Sequence, residues 1–370
     1  MTYKETLLFV AKCLTINHEE HNKTIVENKL KSNTVDWEAV VKVSTAHFVF
    51  PALYCNLKKA DFLIYVPTDL VAYMIHITDL NRDRNQQIIT QAKEINKLLL
   101  ANEITPIFLK GTGNILEELY EDIAERMVGD IDFIFSKEDY PKAIEVLQNF
   151  KYSKVHDTTY DFPMFKHYPR LQKENNIAAV EIHKELLIEA YADEFNYTFI
   201  KKDAQLINGI HFLSFKNQLN LSIIAKQIND KGFHYKDISL RNAYDVFLLS
   251  KKTTAKSAFN DFINLKNPLN CFLASCYAVF NKPTSLEYIE TKETKEYIDF
   301  FRRNIENNAQ SKKFHKKTET KLFIKQRLKI IKDSIFDKEK RIWLIKRTTD
   351  KNWQHEKLVQ LGLKKSKPNA

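Results

Sequence analysis

The amino-acid sequence predicts an α/β fold of the α+β kind, a mixed-sheet core flanked by N-terminal and C-terminal helical regions. Three observations carry this. Apolar residues recur at three- and four-residue steps up to about residue 103, short apolar runs parted by turn signals follow to about 185, and helical spacing returns beyond Asn217. The expected divisions are 1–103 (helical), 104–215 (sheet core), 216–301 (helical C-terminal domain) and 302–370 (a basic, helical tail).

In the first region Leu70, Met74, Ile77 and Leu80, then Ile88, Ala92, Ile95 and Leu98, mark helical faces. Two or three helices are expected there, one starting at Pro67-Thr68-Asp69. The core runs 105–109, 131–135, 152–156, 164–171 and 177–182 read as strands of a mixed sheet. Ser136 with Glu138, followed by Ala143, Val146 and Leu147, reads as a capped helix laid on that sheet. Further helices are expected over 217–229, 237–251, 256–264 and 268–280, and no internal repeat is present.

Bulk properties narrow the class. With 44% apolar and 28% charged residues, the chain is too apolar to be disordered. Lys4, Glu5 and Lys12 interrupt the apolar start and no small-residue cleavage site follows, so no secretory signal is expected. Eighteen apolar residues never run without a charge, which argues against a membrane span. Cys13, Cys55, Cys271 and Cys276 lack paired zinc-site spacing and read as reduced thiols of a cytoplasmic protein. Between Arg302 and Lys367 there are twenty-one Lys or Arg against seven Asp or Glu, a balance of +14; the whole chain is +10, so the first 301 residues sum to −4. Such a segment suits a polyanion, whether RNA, DNA or an acidic lipid surface, or else serves as a solubilising helical face.

The chemistry concentrates between residues 110 and 132. Of six glycines in the chain, Gly111, Gly113 and Gly129 fall within nineteen residues of one another, where close backbone approach is expected. The run Lys110-Gly111-Thr112-Gly113-Asn114 reads as a tight turn from a strand into a helix over 115–120, presenting N–H groups to an anion. In a strand over 131–135, Asp130 and Asp132 project from one face while Ile131 and Phe133 face the core. Two neighbouring carboxylates repel, so the pair makes best sense as ligands of a hard divalent cation such as magnesium.

Several motifs in order then carry a resemblance: Phe108-Leu109-Lys110-Gly111, Leu119-Tyr120, Arg126, Gly129-Asp130-Ile131-Asp132-Phe133, Val180-Glu181-Ile182-His183, and Leu240-Arg241-Asn242-Ala243-Tyr244-Asp245. Over roughly residues 90–250 the chain resembles a bacterial family of uncharacterised nucleotidyltransferases in the DNA polymerase beta-like superfamily. The resemblance implies a polymerase beta-like core and NMP transfer from an NTP to an acceptor hydroxyl with release of pyrophosphate. It makes Asp130, Asp132 and Glu181 the catalytic, metal-binding acids, holding two Mg2+ ions. Gly111 and Thr112 stand at the turn that receives the nucleotide phosphates, with Thr where the superfamily has Ser or Gly, and Lys110 and Arg126 would neutralise the triphosphate. His183 reads as a supporting or core residue and Asp245 as structural. The acceptor cannot be read from these motifs. The basic tail favours RNA, for example a tRNA 3′ end in a toxin-like reaction, over a protein, a sugar or a small molecule; the rival class is an inactive nucleic-acid-binding protein of the same fold.

Overall fold

The computed structural model describes residues 1–155, 166–187 and 191–360. Five helices precede the first strand, more than the spacing suggested: α1 (Tyr3–Cys13), α2 (Glu20–Lys31), α3 (Trp37–Ala46), α4 (Phe50–Lys59) and α5 (Thr68–Leu100). The undercount has a physical cause. The turns closing α2, α3 and α4 use Asn33, Phe48 and Asp61 in left-handed conformations (φ 53°, 56° and 61°), positions where a glycine would normally mark the stop. The start of α5 lies at Thr68, directly after Pro67.

Helix α5 is the spine of the molecule. Its amide side chains donate to backbone carbonyls of irregular segments: Asn81 to Ala124 (2.7 Å), Asn85 to Arg126 (2.7 Å), Gln91 to Ala178 (2.9 Å) and Asn96 to Gly209 (3.1 Å). Carbonyls that sheet pairing leaves over are thereby satisfied, and the approach to the central strand is pinned.

The sheet is mixed and, among the described residues, seven-stranded. In chain order come β1 (Ile107–Phe108), α6 (Lys110–Leu116), β2 (Asp130–Ile134), α7 (Asp139–Asn149), β3 (Ser153–Lys154), β4 (Leu171–Gln172), β5 (Ala179–His183), α8 (Tyr197–Lys201), β6 (Gln205–Ile207) and β7 (Ile210–Phe212). Spatial order is β3-β4-β5-β2-β1-β7-β6, with β2–β5 and β1–β7 parallel and the other pairs antiparallel. Phe108, Phe133 and Phe135, each almost wholly buried, pack edge to face in the core. Of the strands expected at 152–156 and 164–171, residues 156, 164 and 165 lie outside the described residues; 153–154 and 171–172 pair as strands, and His167 makes an isolated bridge to His183. The β6–β7 hairpin was not anticipated, although Asn208-Gly209, both at positive φ (51° and 76°), is its sequence signature.

After the sheet follow α9 (Phe215–Ile224), a π-helical continuation Ala225–Asn229, α10 (Gly232–Tyr235), α11 (Leu240–Ser250), α12 (Lys266–Val279), α13 (Lys292–Glu306), α14 (Asn308–Phe336), α15 (Lys338–Thr349) and α16 (Lys351–Gln360). The helix expected over 256–264 does not form. Phe259, Phe262 and Leu265 are buried, which explains the apolar spacing, but the Glu194 carboxylate accepts from the N–H groups of Ile263, Asn264 and Leu265 and holds them in a turn. The N-terminal helices pack on this second set, for example through Asn22 Nδ2 donating to Phe280 O (2.9 Å). Among the described residues no helix is long and apolar enough to cross a membrane.

Candidate active site

The strand period places Asp130 and Asp132 on one face of β2, with Ile131 and Phe133 buried on the other. Because β5 runs parallel to β2, Asp132 is paired with Glu181 and Ile134 with His183, and both β5 side chains join the same face. Asp132, Glu181 and His183 are 7%, 6% and 1% exposed. One ligand atom from each lies within 4.8 Å of the others. Asp130 stands nearer solvent, at the edge of this group.

The acids are not left facing one another alone. Lys110, at the junction of β1 and α6 with φ 52°, places Nζ 2.5 Å from Asp132 Oδ1 and 3.5 Å from Glu181 Oε2. Arg170, just before β4, bridges the other two gaps: Nη2 lies 3.0 Å from Asp130 Oδ2, and Nε donates to Glu181 Oε1 at 2.8 Å. His183 Nε2 donates to Asp132 Oδ1 at 2.9 Å. Burial works to raise the Glu181 carboxyl, but the hydrogen bond from His183, the charges of Lys110 and His167 and the hydrogen bond from Arg170 outweigh it and hold it well below the usual range. Asp130 is raised, first by burial and then by Glu181 and Asp132, against the opposing charge of Arg170. For Lys110, burial is outweighed by Asp132 and Glu181, and its ammonium stays protonated.

The other residues singled out by the sequence take different positions. Thr112 is fully buried and its hydroxyl donates to the Asp130 carbonyl at 2.7 Å, so it anchors the start of β2. Lys110-Asn114 is not a turn before a helix: all five residues already belong to α6, which starts at Lys110 with φ 52°. Gly113 is needed because a Cβ there would come within 3.1 Å of the Phe108 carbonyl. A Cβ on Gly111 would meet Val128 at 3.3 Å. Nothing lies within 4 Å of where a Gly129 Cβ would be, so that glycine meets no such restriction. Arg126 is buried, its Nε 3.0 Å from Asp245 Oδ1, and Tyr120 OH donates to the same carboxylate at 2.6 Å.

These elements wall a cleft of about 320 Å³, with Lys110, Gly111, Arg126, Asp130, Asp132 and Glu181 on the sheet side and Asn229, Asp230, Arg241 and Asn242 on the helical side. Lys166 and Arg241 also line it, and sequence reasoning assigned them no role. Neither makes an ion pair among the described residues; Arg241 Nε is buried without a hydrogen-bond partner, and its guanidinium rests only over the Phe48 ring at 4.9 Å. Burial first, and a neighbouring cation second, lowers the pKa of each. Arg170 also went unnoticed, since only the β4–β5 pairing brings it beside Glu181.

A family model described as "Uncharacterised nucleotidyltransferase" matches residues 33–282. The chain belongs to this family. In this nucleotidyltransferase the matched region contains every strand of the sheet and both walls of the cleft, while α13 to α16 lie outside it. Among solved structures, one described as "Crystal structure of JHP933 from Helicobacter pylori" is 17% identical, with 65% of this chain and 95% of that chain covered and a TM-score of 0.30. A comparison with curated proteins gave no match. The nucleotidyltransferase cleft fits a divalent cation by its donor set, since carboxylate oxygens of Asp132 and Glu181 dominate it, with the His183 ring beside them.

Proposed function

We propose that the protein transfers an NMP from an NTP to an acceptor hydroxyl, with release of pyrophosphate, in a reaction that depends on two magnesium ions. The observation that carries this is the pairing of Asp132 with Glu181 across β2–β5, with Asp130 on the same face, in a cleft that also holds two cations without ion-pair partners among the described residues. Asp132 and Glu181 are the first ligands, Asp130 completes the acid set, and His183 orients Asp132. When bound, such ions neutralise charge developing on the phosphoryl oxygens and lower the pKa of the attacking hydroxyl. Lys166 and Arg241 take the triphosphate, because each is a desolvated cation that an anion would satisfy. Lys110 and Gly111 line the same wall, so a Lys110 released from Asp132 would add its charge to that grip. Arg126 supports the wall through Asp245.

An NTP substrate supports a cytoplasmic location. For the acceptor, the +14 balance after residue 301 supports a polyanion, and an RNA hydroxyl is the first to test, ahead of a protein, a sugar or a small molecule. The deciding experiment incubates purified protein with each α-labelled NTP, magnesium and fractionated cell extract, with Asp132→Asn as control. Label that appears in one fraction and is absent with the variant identifies the acceptor. No transfer from any NTP, with magnesium or manganese, to any fraction would sink the reading.

A further inference from the structure

The segment that follows the family match carries an apolar surface with no part in the metal and nucleotide cleft. Helix α14 packs one face on α15, where Ser334 is buried and Lys340 Nζ meets Asp333 at 3.0 Å. On a second face Ile324, Leu328, Ile331 and Ile335 follow at steps of four, three and four residues, which aligns them in a single stripe about 16 Å long. They are 51%, 62%, 53% and 62% exposed. Lys321, Lys325 and Lys332 fall along one flank of that stripe, and α14 as a whole has nine Lys or Arg against two Asp or Glu.

The flanking charge selects the occupant. A second copy of α14 would set one lysine row against another, and like charges oppose that pairing. RNA would answer the lysines, but the centre of the face is aliphatic and offers bases no plane to stack on. The exposed aromatic residues of α14 do not line it: Phe323 and Phe336, 51% and 84% exposed, lie about 110° to either side of the stripe, the first under the Arg327 guanidinium at 4.7 Å, and Trp343 of α15 is 6% exposed. An anionic bilayer surface answers both features, acyl chains meeting the aliphatic stripe and headgroups meeting the lysines. We propose that α14 docks this protein onto anionic lipid surfaces, lying in the interfacial plane. The contact is peripheral, in keeping with the lack of any membrane-crossing helix among the described residues.

The test uses the full-length protein and co-sedimentation with phosphatidylcholine vesicles made with or without phosphatidylglycerol. Binding is expected to require phosphatidylglycerol, to weaken as salt rises, and to fall about tenfold or more in the double variant Leu328→Ser, Ile331→Ser. Because both side chains are exposed, the unfolding midpoint should stay at the wild-type value. Wild-type binding by the serine variant would overturn the proposal. So would failure of the wild type to bind anionic vesicles while it binds an RNA oligonucleotide, which would give the tail to RNA. A solution dimer that the two serines dissolve would overturn it in favour of a second copy of the chain.

Discussion

Asp132 and Glu181 stand opposite each other on adjacent parallel strands, and the Lys110 ammonium sits against both, at 2.5 Å and 3.5 Å. The ammonium lies among the side chains that qualify as metal ligands. The acids of this cleft are therefore already compensated by the chain itself, with Arg170 completing the arrangement.

That compensation sets the expected result of removing an acid. Asp132→Asn and Glu181→Gln should each lower transfer by about a thousandfold. Neither should stabilise the protein by relieving repulsion, as the isolated Asp-Ile-Asp motif would suggest. Each leaves the largely buried Lys110 ammonium with one carboxylate in place of two, so stability should fall by about 2 kcal/mol, read by chemical denaturation. A more stable variant would show that repulsion between the acids prevails.

Lys110→Ala should tighten metal binding in the absence of nucleotide, because a cation entering between Asp132 and Glu181 must displace the ammonium. Titration with Mn2+ followed by electron paramagnetic resonance is expected to show a gain of about tenfold in affinity. An unchanged or weakened affinity would mean that Lys110 does not compete for the site.

For Arg126 the buried pair with Asp245 dominates. Arg126→Ala strands a carboxylate that is 2% exposed and should cost about 3–5 kcal/mol of stability without nucleotide. A stable variant with a raised KM for NTP would return Arg126 to the triphosphate role that the family resemblance implies.

Arg241→Ala and Lys166→Ala should behave in the opposite way. With no ion pair to lose among the described residues, they should fold as stably as wild type, while KM for NTP rises about tenfold. Unchanged KM in both variants would remove them from the phosphate grip.

Glu117 gives a pH test away from the cleft. Burial raises its carboxyl from 4.5 to about 7, although Gln218 and Gln205 donate to it. A folded-state pKa above the unfolded value contributes stability that is fully present below pH 4.5 and lost as pH rises through about 7. Glu117→Gln should therefore gain on the wild type as pH increases from 5 to 8, measured as the difference in unfolding midpoint. A difference that stays constant over that range would contradict the raised pKa.

Much of the site was legible locally. The two-residue strand period is enough to put Asp130 with Asp132 and Glu181 with His183, and the +14 balance of the last segment needs only a count. The glycine cluster correctly marked a close approach at Gly113 but overstated the need at Gly129, since sequence shows spacing and not what a Cβ would meet. Thr112 looked like a phosphate donor, yet its hydroxyl is committed to the Asp130 carbonyl.

By itself the sequence determined the fold class, the faces of the two acid-bearing strands and the family. Tertiary structure alone decided that Asp132 meets Glu181, that Lys110 and Arg170 neutralise the acids, that Arg126 belongs to Asp245, and that Arg241 and Lys166 face the cleft without ion-pair partners among the described residues. Side-chain periodicity is a property of neighbouring residues and survives in the bare sequence. Which charge meets which depends on strand register and helix packing between segments tens of residues apart, and many pairings of the same charged residues satisfy the same local pattern.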